Sequence, residues 1–88
     1  MSDTCASVRI PRYDDDGPTC YWIVKTGDAL RMESANGNIA VYRVQLGQDA
    51  RYIQLGNKLW RVSELAAYLY DSDLVVTVED GNRYWPSI

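Results

Sequence analysis

Tyr52-Ile53-Gln54-Leu55-Gly56-Asn57-Lys58-Leu59-Trp60-Arg61-Val62 is a pair of alternating apolar runs joined by Gly-Asn. A two-residue loop between such runs is a strong local signal for a β-hairpin. Gly at the first loop position suits a type II′ turn. With Gly56-Asn57 as the loop, Ile53 pairs with Trp60, and Leu55 and Val62 join them on the inner face. Tyr52 then faces Arg61 on the outside, where an arginine can lie over the phenol ring.

Two more turn signals stand on either side, Asn36-Gly37-Asn38 and Asp80-Gly81-Asn82. For the first, apolar matching favours a three-residue loop. Met32 then faces Tyr42, Leu30 faces Val44, and Arg31 and Arg43 share the outer face. A two-residue loop would instead put Leu30 and Met32 with Ile39, Val41 and Arg43, because a one-residue slip flips a whole face. The last signal predicts a hairpin of Leu74 to Glu79 returning through Arg83 to Pro86, with Leu74, Val76, Val78 and Trp85 inward.

Upstream, residues 1–6 are polar and expected to be loose. Val8 to Tyr13 reads as a strand that Pro11 confines to an edge. Asp14-Asp15-Asp16-Gly17-Pro18 reads as a loop. Thr19 to Thr26 alternates Cys20, Trp22 and Val24 against Tyr21, Ile23 and Lys25, and Gly27-Asp28 turns the chain. Ser63 is placed to cap a helix near residues 63–70 through the N–H of Leu65 or Ala66. Glu64 suits its positive end, Leu65 and Leu69 stack at i, i+4, and Asp71-Ser72-Asp73 stops it.

The expected fold is therefore α+β, mainly antiparallel β. Serial hairpins form a bent sheet or small partly open barrel with one short helix, in a single domain spanning 1–88. Its pleat is expected to hide Trp22, Trp60 and Trp85 together.

Composition fits one small core: 88 residues, 47% hydrophobic and 24% charged, with three Trp, seven Tyr and no Phe. A dimer would add stability to so small a core. The net charge of −3 disfavours a protein working mainly by neutralising phosphates. No apolar run reaches the ~18 residues of a membrane span. Met1-Ser2-Asp3-Thr4 has neither a basic nor an apolar leader region, so the expected compartment is the cytoplasm.

Catalytic and metal chemistry find little to build on. The chain has no His, which removes Ser-His and Cys-His arrangements. Its acids cluster in turns and on the helix, where they read as solvated. Cys5 and Cys20 match no zinc pattern and read as reduced thiols; spacing alone does not place them within bonding range. An EF-hand counted from Asp14 would need Glu at the position held by Lys25. The acidic Asp14-Asp15-Asp16 loop then reads as solvated, or as a charged finger for a basic partner. No catalytic residue, cofactor or metal is expected.

Charge order along the chain is more informative. From Glu64 to Asp80 every charge is acidic: Glu64, Asp71, Asp73, Glu79 and Asp80. Tyr68 and Tyr70 lie in the same stretch, and both cannot enter the core beside Leu65 and Leu69. These seven residues form the expected contact surface of a protein-binding module, an inhibitor or adaptor steered to a basic surface of a partner, such as one that holds nucleic acid. In size and charge the chain resembles many phage-encoded inhibitors, anti-CRISPR proteins among them. One alternative is a nucleic-acid-binding β module using Arg43, Arg51, Tyr52, Lys58 and Arg61. Another is a self-associating structural subunit of a larger particle.

Overall fold

The computed structural model describes residues 4–14 and 17–85. Seven strands and one helix follow in order: β1 (Val8–Asp14), β2 (Gly17–Val24), β3 (Ala29–Glu33), β4 (Ile39–Gln45), β5 (Tyr52–Leu55), β6 (Lys58–Arg61), α1 (Val62–Asp71) and β7 (Val75–Glu79). A 3₁₀ turn over Gly81–Arg83 follows. β1 and β2 form a separate hairpin. The other strands form one sheet in the order β6-β5-β4-β3-β7. Every pairing is antiparallel and no barrel closes, so the α+β reading holds.

The order of strands explains the helix. β6 and β7 lie at opposite edges of the sheet, about 19 Å apart at ~4.8 Å per strand step. A ten-residue helix is about 15 Å long and carries the chain most of that way. α1 buries Leu65, Ala66 and Leu69 and lies closest to β1 of the hairpin. Leu30, Met32, Val44, Ile53 and Leu55 of the sheet share one core with them and with Val8, Ile10 and Val24 of the β1–β2 hairpin. Ile10, Leu30, Ile53, Leu65, Val24 and Val44 are fully buried. Deep burial is worth about 1.5–3 kcal/mol for each such side chain.

The Gly56-Asn57 hairpin has the expected register, with Ile53 opposite Trp60 and Tyr52 opposite Arg61. Gly56 has φ +58° while Asn57 is not among the positive-φ residues, the signature of a type II′ turn. The β3–β4 hairpin keeps the expected faces but slides by two residues. Met32 pairs with Ala40 and Leu30 with Tyr42, not with Tyr42 and Val44. The cause is a three-residue loop placed one residue earlier, Ala35-Asn36-Gly37: Ser34 N–H donates to Asn38 O at 2.9 Å, Gly37 N–H donates to Ser34 O at 3.0 Å, and Gly37 takes φ +89°. An even slip preserves which side chains face inward, so the core is unaffected.

Three expectations about single elements are corrected. Asp14, Gly17 and Pro18, read as loop residues, belong to β1 and β2; Asp15 and Asp16 lie outside the described residues. Ser63 caps nothing. β6 runs straight into α1, Val62 is already helical, and Arg61 at the cap position makes no side-chain bond. No returning strand follows β7 among the described residues, because Gly81–Arg83 winds into the 3₁₀ turn; Pro86 lies outside them. β7 pairs with β3 instead.

The three indoles are not hidden together. Trp22 and Trp60 are half-buried against the core, and Trp85 sits apart from it. Its Nε1–H donates to Gly27 O at 3.0 Å, pinning the 3₁₀ turn to the β2–β3 turn. Cys5 and Cys20 are both free thiols.

The approach of Gly81 to Gly27 gives a sharp test. A Cβ on Gly81 would run into the Gly27 carbonyl and the Trp85 indole, whereas one on Gly47 meets nothing. Gly81→Ala is expected to lower stability by about 1–3 kcal/mol in urea denaturation, the usual cost of overpacking. Gly47→Ala should stay within about 0.5 kcal/mol.

Candidate functional site

On a helix at about 100° per residue, Glu64, Tyr68 and Asp71 fall on one stripe, beside the buried stripe of Leu65 and Leu69. All three are exposed. Tyr70 lies roughly 160° round from Tyr68, toward the other flank. The stretch read as one surface is thus two flanks of α1 and more besides.

The Tyr68 flank is aromatic. The Tyr68 ring lies 5.4 Å from that of Trp60, which carries the Lys58 ammonium 4.1 Å from its centre. Met32, Tyr42 and Leu55 close a small hollow of about 110 Å³ around them. A second hollow of about 350 Å³ continues along Tyr42, Ala40 and Ile39 to the β3–β4 turn. Among the described residues, no cation pairs with Glu64 or Asp71.

The Tyr70 flank faces the β1–β2 hairpin. Tyr70 and Tyr13 meet edge to face at 6.4 Å. With Asp73, Arg12 and Trp22 they border a cleft of about 310 Å³, and the Arg12 guanidinium lies 5.6 Å from the Trp22 ring centre. Asp73 takes φ +54°, the left-handed residue after the helix C-cap Ser72.

Glu79 and Asp80 lie elsewhere. In the pleat Glu79 points to the sheet face away from α1. There it pairs with Arg83 at 3.2 Å, lies 3.9 Å from Arg31, and accepts the Tyr84 hydroxyl at 2.9 Å. The bond to Glu79 raises the Tyr84 pKa. Asp80 caps the 3₁₀ turn by accepting Asn82 N–H at 3.0 Å. Glu79 is therefore neutralised locally and Asp80 serves the turn.

The five residues of the basic alternative also divide. Tyr52 and Arg61 do meet across β5 and β6, with the guanidinium 5.8 Å from the ring centre, though Tyr52 is half-buried. Arg43 shares their sheet face but lies over Trp85 at 5.7 Å. Lys58 points to the opposite face, onto Trp60. Arg51 forks onto Asp49, with Nη2 2.8 Å from Oδ2 and Nε 3.0 Å from Oδ1.

Tyr42, Trp60 and Met32 complete the Tyr68 surface and were not read as site residues. Alternation already set Met32 with Tyr42. Alternation puts Trp60 on the core face, but it stands near the end of a four-residue edge strand where burial is incomplete. Among the described residues, no His, Cys, Asp and Glu group is arranged to hold a metal, and no helix is long and apolar enough to cross a membrane. Comparison with protein-family models, curated proteins and solved structures finds no match to this chain.

The Asp49–Arg51 fork is testable by titration. The Arg51 side chain, then its backbone N–H, hold Asp49 down to about 2 from 3.8. A depressed carboxyl contributes stability above its unfolded pKa and loses it as pH falls through the folded one, here between 3.8 and about 2. Arg51→Ala should raise the Asp49 midpoint partway toward 3.8, because the backbone bond remains. Carboxyl ¹³C titration reads this directly. An unmoved midpoint would show Arg51 unattached and available to a phosphate.

Proposed function

We propose that this chain is a non-catalytic protein-binding module, an inhibitor or adaptor that occupies a basic surface of a partner protein. The observation that carries the reading is the α1 stripe of Glu64, Tyr68 and Asp71. It joins two carboxylates without a cation partner among the described residues to an exposed tyrosine stacked on Trp60. Tyrosine and tryptophan anchor interfaces because they bury large area at little entropic cost, and unpaired surface charge steers the encounter. The net charge of −3 favours a basic partner. The resemblance in size and charge to phage-encoded inhibitors makes inhibition the preferred form.

A nucleic-acid module has less behind it. Arg43, Tyr52 and Arg61 lie on one face of the sheet and Lys58 on the other, and Arg51, outside the strands, is engaged by Asp49. Binding that depends on phosphate neutralisation needs cations gathered along one track.

The test is affinity capture on the intact protein, identification of the partner by mass spectrometry, and calorimetry on the purified pair. Glu64→Lys with Asp71→Lys is expected to weaken the complex about tenfold or more at low salt, and less at high salt where charge is screened. Tyr68→Ala is expected to cost a similar factor that salt does not change. Equal affinity for all three proteins would remove the α1 stripe from the interface.

A further inference from the structure

β4 is seven residues long, yet β5 pairs with it only at Val44 and Gln45. The printed direction of two bonds fixes what the remainder of β4 presents. Val44 N–H donates to Asp28 O, and Ser34 N–H donates to Asn38 O, both at 2.9 Å across the β3 side. Successive residues of a strand aim their backbone groups to opposite edges. Ala40 and Tyr42 therefore bond to β3, and Ile39, Val41 and Arg43 face the other way. Arg43 O is met there by Gly56 N–H at 3.0 Å, the last contact before the β5–β6 hairpin turns back. Beyond it, the N–H and C=O of Ile39 and of Val41 have no described strand beside them.

Resting on the protein-binding reading above, we infer that this edge receives an extended segment of the partner as an added strand. A segment paired with Ile39 and Val41 sends every second side chain to the α1 side. The hollow bordered by Met32, Ala40, Tyr42 and Tyr68 lies there, about 350 Å³ and open to solvent. The intervening side chains lie beside Ile39, which is 53% exposed, and Val41. Main-chain bonds supply affinity in such pairing, and pockets for alternate side chains supply selection. Charge sets the class of segment. Tyr68 lies on the same α1 stripe as Glu64 and Asp71, so the complement is a segment alternating apolar with basic residues. A second copy of this chain brings a net charge of −3 and the same acidic stripe to the contact.

The experiment uses the whole chain and synthetic peptides of about ten residues, long enough to span the edge. One set alternates Val or Leu with Lys or Arg, a second has the same composition scrambled, and a third is N-methylated at alternate residues. Amide exchange is followed by NMR. In the protein alone, Ile39 and Val41 should exchange faster than Ala40 and Tyr42. The alternating peptides should slow Ile39 and Val41 about tenfold or more, while scrambled and N-methylated peptides should not. Val41→Pro removes an outward N–H without touching the β3 ladder and should weaken peptide binding about tenfold with the fold intact.

No slowing by any alternating peptide overturns the inference, as does Val41→Pro binding like the native chain. Slowing that grows with protein concentration without peptide gives the edge to a second copy and also overturns it. The two readings separate cleanly. If Glu64→Lys with Asp71→Lys weakens the captured complex and Val41→Pro does not, the helix surface stands and the edge falls. The converse result keeps the edge and removes the stripe.

Discussion

The whole molecule depends on one apolar layer. Leu30 and Ile53 on the sheet and Leu65 on α1 are fully buried, and Ile10 and Val24 close the layer from the β1–β2 hairpin. The described residues supply one α-helix and one hairpin to lay over a sheet of five strands. They cover a single face. Burial fixes which residues point inward, since the pleat alternates strictly. Truncating Leu30 or Leu65 would leave a hole with no second layer to collapse into it, the situation in which large-to-small changes cost about 2–5 kcal/mol.

The uncovered face is kept stable by polar means. Arg31 stands in the middle of β3 and bonds Glu33 at 3.0 Å, while Glu79 collects Arg83 and Tyr84. Isolated surface pairs contribute about 0–1 kcal/mol, but a carboxylate with several partners also fixes their positions. Here it ties the 3₁₀ turn to the sheet. Trp85 then folds over toward Gly27, and Ala29, in the row between Arg43 and Glu79, is fully buried. The same pleat separates charges that are neighbours in sequence. Glu79 and Glu64 belong to one acidic stretch of chain, yet Glu79 faces away from α1 and is neutralised, while no cation among the described residues pairs with Glu64.

The parts of the fold legible in the sequence are those set by local chemistry. Gly56-Asn57 fixed its hairpin to the residue, because Gly56 alone had to take a positive φ and the flanking runs admitted one register. Face assignments in β2, β3 and β4 followed from alternation even where the turn misled. Three features were not legible from the apolar pattern. The β3–β4 loop falls one residue earlier than apolar matching places it, because Gly37 takes the positive φ at the last loop position and the Ser34 hydroxyl accepts Asn38 N–H. α1 follows β6 without a break, so Ser63 is the second helical residue and not the cap. The end of the chain turned into a 3₁₀ helix because β7 found its partner in β3, leaving Arg83 and Tyr84 to bond Glu79. For the candidate surface, exposure of Tyr68 and Tyr70 was legible from the width of the buried stripe. That Tyr68 would stack on Trp60 depended on how α1 crosses the sheet, which no local pattern states.

Strand lengths link the architecture to the surface. β5 and β6 have four residues each and are joined by two, so their hairpin is short against the seven of β4. Antiparallel pairing at Val44 and Gln45 puts the Gly56-Asn57 turn beside Tyr42 and Arg43, and the hairpin can reach no further. The remaining half of β4 is an edge within the sheet, bounded by a turn at each end. Proteins commonly blunt such edges with charge, proline or a covering element. Here Ile39, Ala40 and Val41 supply none of these, and the neighbouring ring of Tyr68 borders a hollow without filling it. That edge lies beside an acidic stripe which no cation pairs with among the described residues, so both features proposed for a partner come from the same shortage of covering elements.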